Sequence, residues 1–152
     1  MPRASSDRPI AEVIAAECLA VRVRALGRAV TGLYDDALRP HGLRVGQLNL
    51  LVAVARMGTA RPGDLCRALC MDKSTLSRDV EVMRRNGWLE VEDSGGRSRP
   101  LRLSPVGQAL LDRVAPAWRQ AQAEACKLIG DDGAEALLRI ARRLRDDGMP
   151  GP

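Results

Sequence analysis

Between Lys73 and Arg78 the chain sets an ammonium, three hydroxyls (Ser74, Thr75 and Ser77) and a guanidinium almost side by side, with Arg85 following two helical turns on. A second basic group, Arg97 and Arg99, flanks a reversal that contains Gly95 and Gly96. These side chains are hydrogen-bond donors of the kind that meet base edges and phosphates. An arginine takes both major-groove acceptors of a guanine at once, and short hydroxyl residues let a backbone come close to a base edge. Arginines on a loop tip suit phosphate or a minor groove. Catalysis has little to work with. The chain holds a single histidine, His41, no Ser–His–Asp order, no phosphate-binding glycine loop and no cysteine cluster with zinc spacing, so neither an enzyme nor a metal or cofactor is expected.

The elements that must hold these donors can be read from the surrounding pattern. At about 100° per residue, Leu76, Val80 and Met83 fall in one narrow stripe, whereas Ser74, Arg78, Glu81 and Arg85 gather opposite it. Asp72 is a suitable N-cap and Gly87 a suitable stop, which predicts a helix over about 73–86. A shorter helix, Pro62 to Leu69, precedes it, with proline in its first turn. Trp88–Val91 and Pro100–Leu103 alternate apolar and polar residues around the turn, as a two-stranded hairpin would. Helix, turn, helix and hairpin make a winged helix-turn-helix over 45–103, a module that serves mainly to place side chains in a DNA groove. A solvated helix and a solvated loop are the plain alternatives. A winged-helix module for protein contacts is the functional one; it would expose apolar side chains on the outer face of the helix, where only Val82, at the edge, qualifies.

The flanking segments are helical too. Leu19, Val23, Leu26, Val30, Leu33 and Ala37 recur at steps of four and three, predicting one long amphipathic helix from Pro9 to Arg39, where Pro40 ends it. Val45–Met57 includes LNLLVAVA and should be a buried helix that stops at Gly58. Ser104 and Pro105 open another helix in cap-then-first-turn order, along which Leu110, Val114, Ala117, Ala121, Ala125 and Leu128 keep the same spacing. A last helix begins near Gly133. The fold is therefore mostly α with a small β wing: a polar, frayed tail over 1–8, helical dimerisation segments at 9–44 and 104–147, and the winged module between them. Apolar stripes on the first and last helices are longer than the central module can cover, which predicts a homodimer.

Composition sets outer limits. The chain has 152 residues with two Trp, one Tyr and no Phe, so the core must be Leu, Val and Ala, which suits helices. The net charge of +5 favours a polyanionic partner, although residues 61–102 hold nine basic and seven acidic side chains, a local excess of only two. Direction must therefore matter more than total charge. No run approaches a membrane span and the N-terminus lacks a signal-peptide plan, which predicts a cytoplasmic protein with Cys18, Cys66, Cys70 and Cys126 reduced.

The stretches DKSTLSRDVEVMRRNGWLE, GGRSRPLRLSPVGQALL and LYDDALRPHGLRVGQLNLLVAVA, in this order, resemble the MarR (multiple antibiotic resistance regulator) family from about Cys18 to Leu144. The resemblance implies a homodimer with interlocked terminal helices. Each protomer would present one winged module to a pseudo-palindromic operator in double-stranded DNA, and the protein would repress its own or a neighbouring promoter until a small molecule or an oxidant releases it. Arg97 stands where the family places its minor-groove arginine. The family's wing often carries Asp two residues earlier; here that residue is Gly95, and Asp93 lies four back. An effector pocket is implied between the dimer helices and the winged module, with Tyr34, His41, Arg44 and Trp118 as candidates to supply a cation and an aromatic wall. Cys18 resembles in position the sensing thiol of the family's peroxide-responsive branch. The residues around it, Glu17 and Arg22, offer no thiolate activation, so a thiol switch at Cys18 is the alternative to a small-molecule effector.

Overall fold

The computed structural model describes residues 8–92 and 99–146, without the side chains of the last two. Most of the predicted N-terminal tail, and the wing tip with Asp93, Gly95 and Arg97, lie outside the described residues. The chain forms two compact units, one up to Gly32 and one from Leu33 onward.

In the first unit, α1 (Ile10–Glu17) and α2 (from Leu19, running on to Leu38) take the place of the single helix predicted from Pro9. The interruption is Cys18. Its amide still donates to the Ile14 carbonyl at 3.0 Å, but its ψ of 110° is extended and turns the next amide off the helix axis. No proline or glycine marks the spot, so the apolar period runs through a break it cannot signal. An ion pair from Arg8 to Glu17 at 3.0 Å closes α1. Leu19 and Val23 are exposed here, 77% and 67%.

The second unit holds the core. Helix α2 ends at Leu38, one residue before its predicted stop, because Arg39–His41 tighten into a 3-10 turn around Pro40 and Gly42 closes it in the left-handed conformation. Asp35 accepts the Val45 amide at 2.7 Å and so fixes the start of α3 (Val45–Met57). The amphipathic split of α3 is sharper than its apolar sequence suggested: Leu48, Leu50, Leu51 and Val54 are buried, whereas Val52 and Met57 lie on its exposed side. Strand β1 (Thr59–Ala60), α4 (Pro62–Leu69), α5 (Lys73–Arg85), β2 (Leu89–Val91) and β3 (Leu101–Leu103) follow, then the long α6 (Pro105–Ile129) and α7 (Asp131–Asp146). Leu65, Leu76, Met83, Leu101, Leu110 and Val114 complete the buried cluster around α3. Burying an aliphatic side chain of this size contributes roughly 1.5–3 kcal/mol, so this cluster, mostly helical with Leu89 and Leu101 from the strands, holds the unit together.

The sheet is antiparallel in the order β1-β3-β2, with Glu90 opposite Arg102 and Thr59 also opposite Arg102. The β2–β3 hairpin matches the predicted one, whereas β1 has no counterpart in the sequence pattern. A two-residue strand has no period to detect; it exists because β3 offers it an edge.

One buried junction binds the turn between α5 and β2 to α6. Ser104, only 4% exposed, accepts the Gly107 amide at 2.9 Å as the N-cap of α6 and donates its hydroxyl to the Gly87 carbonyl at 2.5 Å. Its own amide donates to Trp88 at 3.0 Å. Gly107 must be glycine for this approach, since a Cβ there would press on the Trp88 carbonyl and lie 2.8 Å from a Leu103 methyl.

Candidate nucleic-acid interface

Helix α5 starts where Asp72 caps it. One carboxylate oxygen accepts the Thr75 amide at 2.8 Å and the Ser74 hydroxyl at 2.6 Å, and the other accepts the Thr75 hydroxyl at 2.7 Å. These bonds, the Ser74 hydroxyl first, hold the Asp72 carboxyl far below the usual carboxylate range. The helix ends in a paired αL motif: Gly87 has φ of 72°, its amide donates to Arg84, and the Trp88 amide reaches back to Met83 at 2.9 Å. The turn ahead of α5 uses the same device without glycine. Cys70 takes φ of 50° and the Met71 amide donates to Cys66 at 3.0 Å. Both ends are therefore fixed by hydrogen bonds, and the inward stripe of Leu76, Val80 and Met83 seats the helix on the core.

That seating sends Ser74, Ser77 and Arg78 outward, all exposed, with Lys73 beside them and Thr75 half-buried. Arg78 lies back along its own helix, Nε donating to the Ser74 carbonyl at 3.3 Å, and meets no carboxylate among the described residues. The Ser74 and Thr75 hydroxyls have committed their protons to Asp72, so they can meet a nucleic acid chiefly as acceptors. Arg85 is placed differently. Its Nε donates to Glu81 at 2.9 Å, and Arg84 grips the same carboxylate through Nε and Nη2, both at 3.2 Å. The two guanidinium groups lower the Glu81 carboxyl's affinity for a proton, and Glu81 in turn raises that of Arg84. This clamp went unread in the sequence, although its signal, Glu followed by basic residues at three and four positions, was present.

A groove of about 500 Å³ runs between α4, α5 and the wing. Cys66, Leu76, Val80, Val91 and Leu101 give it an apolar lining; Lys73, Arg84 and Arg99 add cations, and Ser77 and Glu81 complete the α5 wall. Arg99, exposed two residues before β3, thus joins Lys73 and Ser77 at one groove. At the wing base Glu92 accepts from Arg102 at 3.2 Å. A second cavity of about 750 Å³ lies on the other flank of α5, lined by Asp35, Arg39, Arg44, Gln47, Asp79 and Val82.

The four effector candidates do not share one surrounding. Arg44 lines the second cavity. Tyr34 is half-buried, its hydroxyl donating to Gln122 on α6, whose amide donates to the Cys126 sulfur at 3.6 Å. Burial, then the Cys126 charge, raises the Tyr34 pKa. His41 closes the 3-10 turn, and Trp118 stands exposed on α6. Cys18 is half-buried at the α1 end and Cys66 packs against the core cluster beside Leu65 and Leu69. Among the described residues no three cysteine, histidine or acidic side chains come together to hold a metal.

A capped helix with an outward polar face, a preceding helix and turn, and a hairpin beside them define a winged helix-turn-helix of the DNA-reading class. Comparison with known proteins agrees. The MarR family model matches residues 41–100. The structure is similar to the M. tuberculosis transcriptional regulator MosR in complex with DNA, at 31% identity and a TM-score of 0.70, covering 87% of this chain and 94% of that one. It is also similar to a cysteine-to-serine variant of MarR from E. coli complexed with operator DNA (17% identity, TM-score 0.75, 86% and 96% covered). BpsR of Bordetella bronchiseptica, whose DNA binding is regulated by 6-hydroxynicotinic acid, has 19% identity, a TM-score of 0.74 and coverage of 85% and 95%. No curated protein sequence matches the chain significantly. The chain belongs to the MarR family of DNA-binding transcriptional regulators and is not an enzyme.

Proposed function

We propose that the chain acts as a homodimer that binds a pseudo-palindromic operator through two copies of α5 and the wing, represses its own or a neighbouring promoter, and is released by a small-molecule effector. The observation that carries the reading is Arg78. It is exposed on a helix fixed at both ends and meets no carboxylate among the described residues, so it is available to grip a guanine. Lys73, Ser74, Thr75 and Ser77 would position the helix, Arg99 would meet the backbone, and Arg97 would enter the minor groove as the family resemblance implies. A two-fold axis would set the two reading helices about one DNA turn, roughly 34 Å, apart.

Dimerisation is supported by exposed apolar side chains. On α7 Leu137, Leu138, Ile140 and Leu144 are exposed, and Leu138 alone leaves 62% of its surface open. The same holds for Ile10, Ile14, Leu19 and Val23. A second copy would remove these surfaces from water, so segments 9–44 and 104–147 are the proposed dimerisation region and 45–103 the reading module. No described helix is long and apolar enough to cross a membrane, and action in the cytoplasm is part of the proposal. Effector control is supported by BpsR and by cavities on both flanks of α5. A ligand there would act by favouring one spacing of the two reading helices. The protein-contact alternative is less well supported: Val82 is 42% exposed but lines the flanking cavity rather than the outer stripe.

The test is a gel shift on the DNA upstream of the chain's own gene, with light scattering on the same sample. A retarded complex holding two protomers is expected; monomeric protein or no retardation would overturn the proposal.

A further inference from the structure

The outer stripe of α5 carries an acidic residue where a DNA-reading helix would be expected to offer only donors. Ser74, Arg78, Glu81 and Arg85 lie within about 60° of one another around the helix axis. Glu81 is not idle there. Its carboxylate takes three hydrogen bonds, two from the Arg84 fork at 3.2 Å and one from Arg85 at 2.9 Å. That is the geometry in which a guanidinium takes a phosphate. Arg84 points to the groove shared with Lys73 and Arg99, while Arg85 stays on the outer stripe. One anion therefore occupies both cations at the C-terminal end of α5.

We propose that Glu81 is a specificity-determining residue: it stands in for a phosphate and keeps Arg84 and Arg85 out of backbone contact until α5 is seated in its correct sequence. The inference rests on the reading of α5 given above. Sequence-independent binding is held by phosphate contacts and counterion release. A random duplex has only those contacts with which to compete for Arg84 and Arg85, and Glu81 is already in place. At the operator, base contacts from the N-terminal half of α5 hold the helix against the DNA. The exchange from carboxylate to phosphate is then intramolecular and favoured by high effective concentration. Exposed ion pairs of this spacing are individually weak, so a held phosphate can displace them. Glu81 thereby subtracts two cations from random binding and none from operator binding.

The test compares wild type, Glu81→Gln and Arg78→Ala on two probes: a duplex selected by the wild-type protein from a random library, and an unselected duplex of equal length. Affinities are measured in about 50–200 mM salt, the range over which phosphate contacts show most clearly. Each phosphate contact steepens the log–log salt slope by about 0.9. For Glu81→Gln the slope on the unselected duplex should steepen by about 0.9–1.8, so its gain over wild type shrinks about 3- to 12-fold across that range. On the selected duplex the slope should stay as in wild type, and adding Arg84→Ala and Arg85→Ala to Glu81→Gln should restore the wild-type slope on the unselected one. An unchanged slope on the unselected duplex, or equal steepening on both, overturns the proposal. If Arg78→Ala leaves selection intact, the reading of α5 itself has failed instead.

Discussion

Replacing Ser104 by alanine removes two of the three hydrogen bonds at the junction between the reading elements and α6, and the loss can be estimated from the parts. The Ser104 amide keeps its bond to Trp88, because alanine has the same backbone. The N-cap bond to the Gly107 amide disappears, a change that typically costs about 1 kcal/mol. The hydroxyl bond to the Gly87 carbonyl disappears as well, worth about another 1 kcal/mol net. The expected destabilisation is about 2 kcal/mol, or about 4–8 °C in Tm for a domain of this size. Ser104→Thr keeps the hydroxyl and should recover more than half of the loss. The assay is urea and thermal unfolding followed by circular dichroism at fixed protein concentration. Ser104→Ala within 0.5 kcal/mol of wild type, a margin typical of unremarkable surface changes, would refute the junction's role, as would a threonine variant no better than alanine.

Three further outcomes are expected. Because the Asp72 carboxyl is held below its ordinary value of 3.8 in the folded protein, its cap contributes fully above that pH and is lost as pH falls through the depressed folded value. The Tm gap between wild type and Asp72→Ala should therefore be widest near neutrality and close in acid; a gap that grows on acidification contradicts the cap. Arg99→Ala should weaken binding to selected and unselected duplexes alike and flatten the salt slope by about 0.9, whereas lost discrimination with an unchanged slope would make Arg99 a base reader. Cys18→Ser should behave as wild type in DNA release under mild peroxide, since Arg22 donates to the Cys18 carbonyl at 3.4 Å rather than to the thiol. Release by wild type at low oxidant that the variant lacks would make Cys18 the switch.

Much of the reading module was legible because its residues act locally. Asp72 and Ser104 announce helix starts by chemistry that needs nothing beyond three residues downstream, and Gly58 and Gly87 announce stops by accepting positive φ. The stripe of Leu76, Val80 and Met83 gave the buried face of α5, and with it the outward face. What escaped depended on partners distant in sequence or on competition among neighbours. Strand β1 follows from pairing with Arg102 and Leu101. The break at Cys18 follows from no local signal. The last helix begins at Asp131 rather than Gly133 because a glycine in a first turn is tolerated and the two aspartates favour the helix's positive end. In the candidate site, the residue types were visible but their engagement was not. Arg78 and Arg85 are equivalent on a helical wheel, and only the structure separates the guanidinium that meets no acid among the described residues from the one that Glu81 holds.

Sequence reading by α5 through Arg78 is measured most directly by the discrimination ratio of Arg78→Ala. Wild type and variant are titrated at one salt concentration against a duplex selected by the wild type and a scrambled duplex of the same composition. Losing a bidentate base contact should cost about 1–3 kcal/mol on the selected duplex alone, about 5- to 150-fold in affinity, while light scattering and Tm stay as in wild type. An Arg78→Ala protein that is folded and still separates the two duplexes as well as wild type would show that Arg78 does not read sequence.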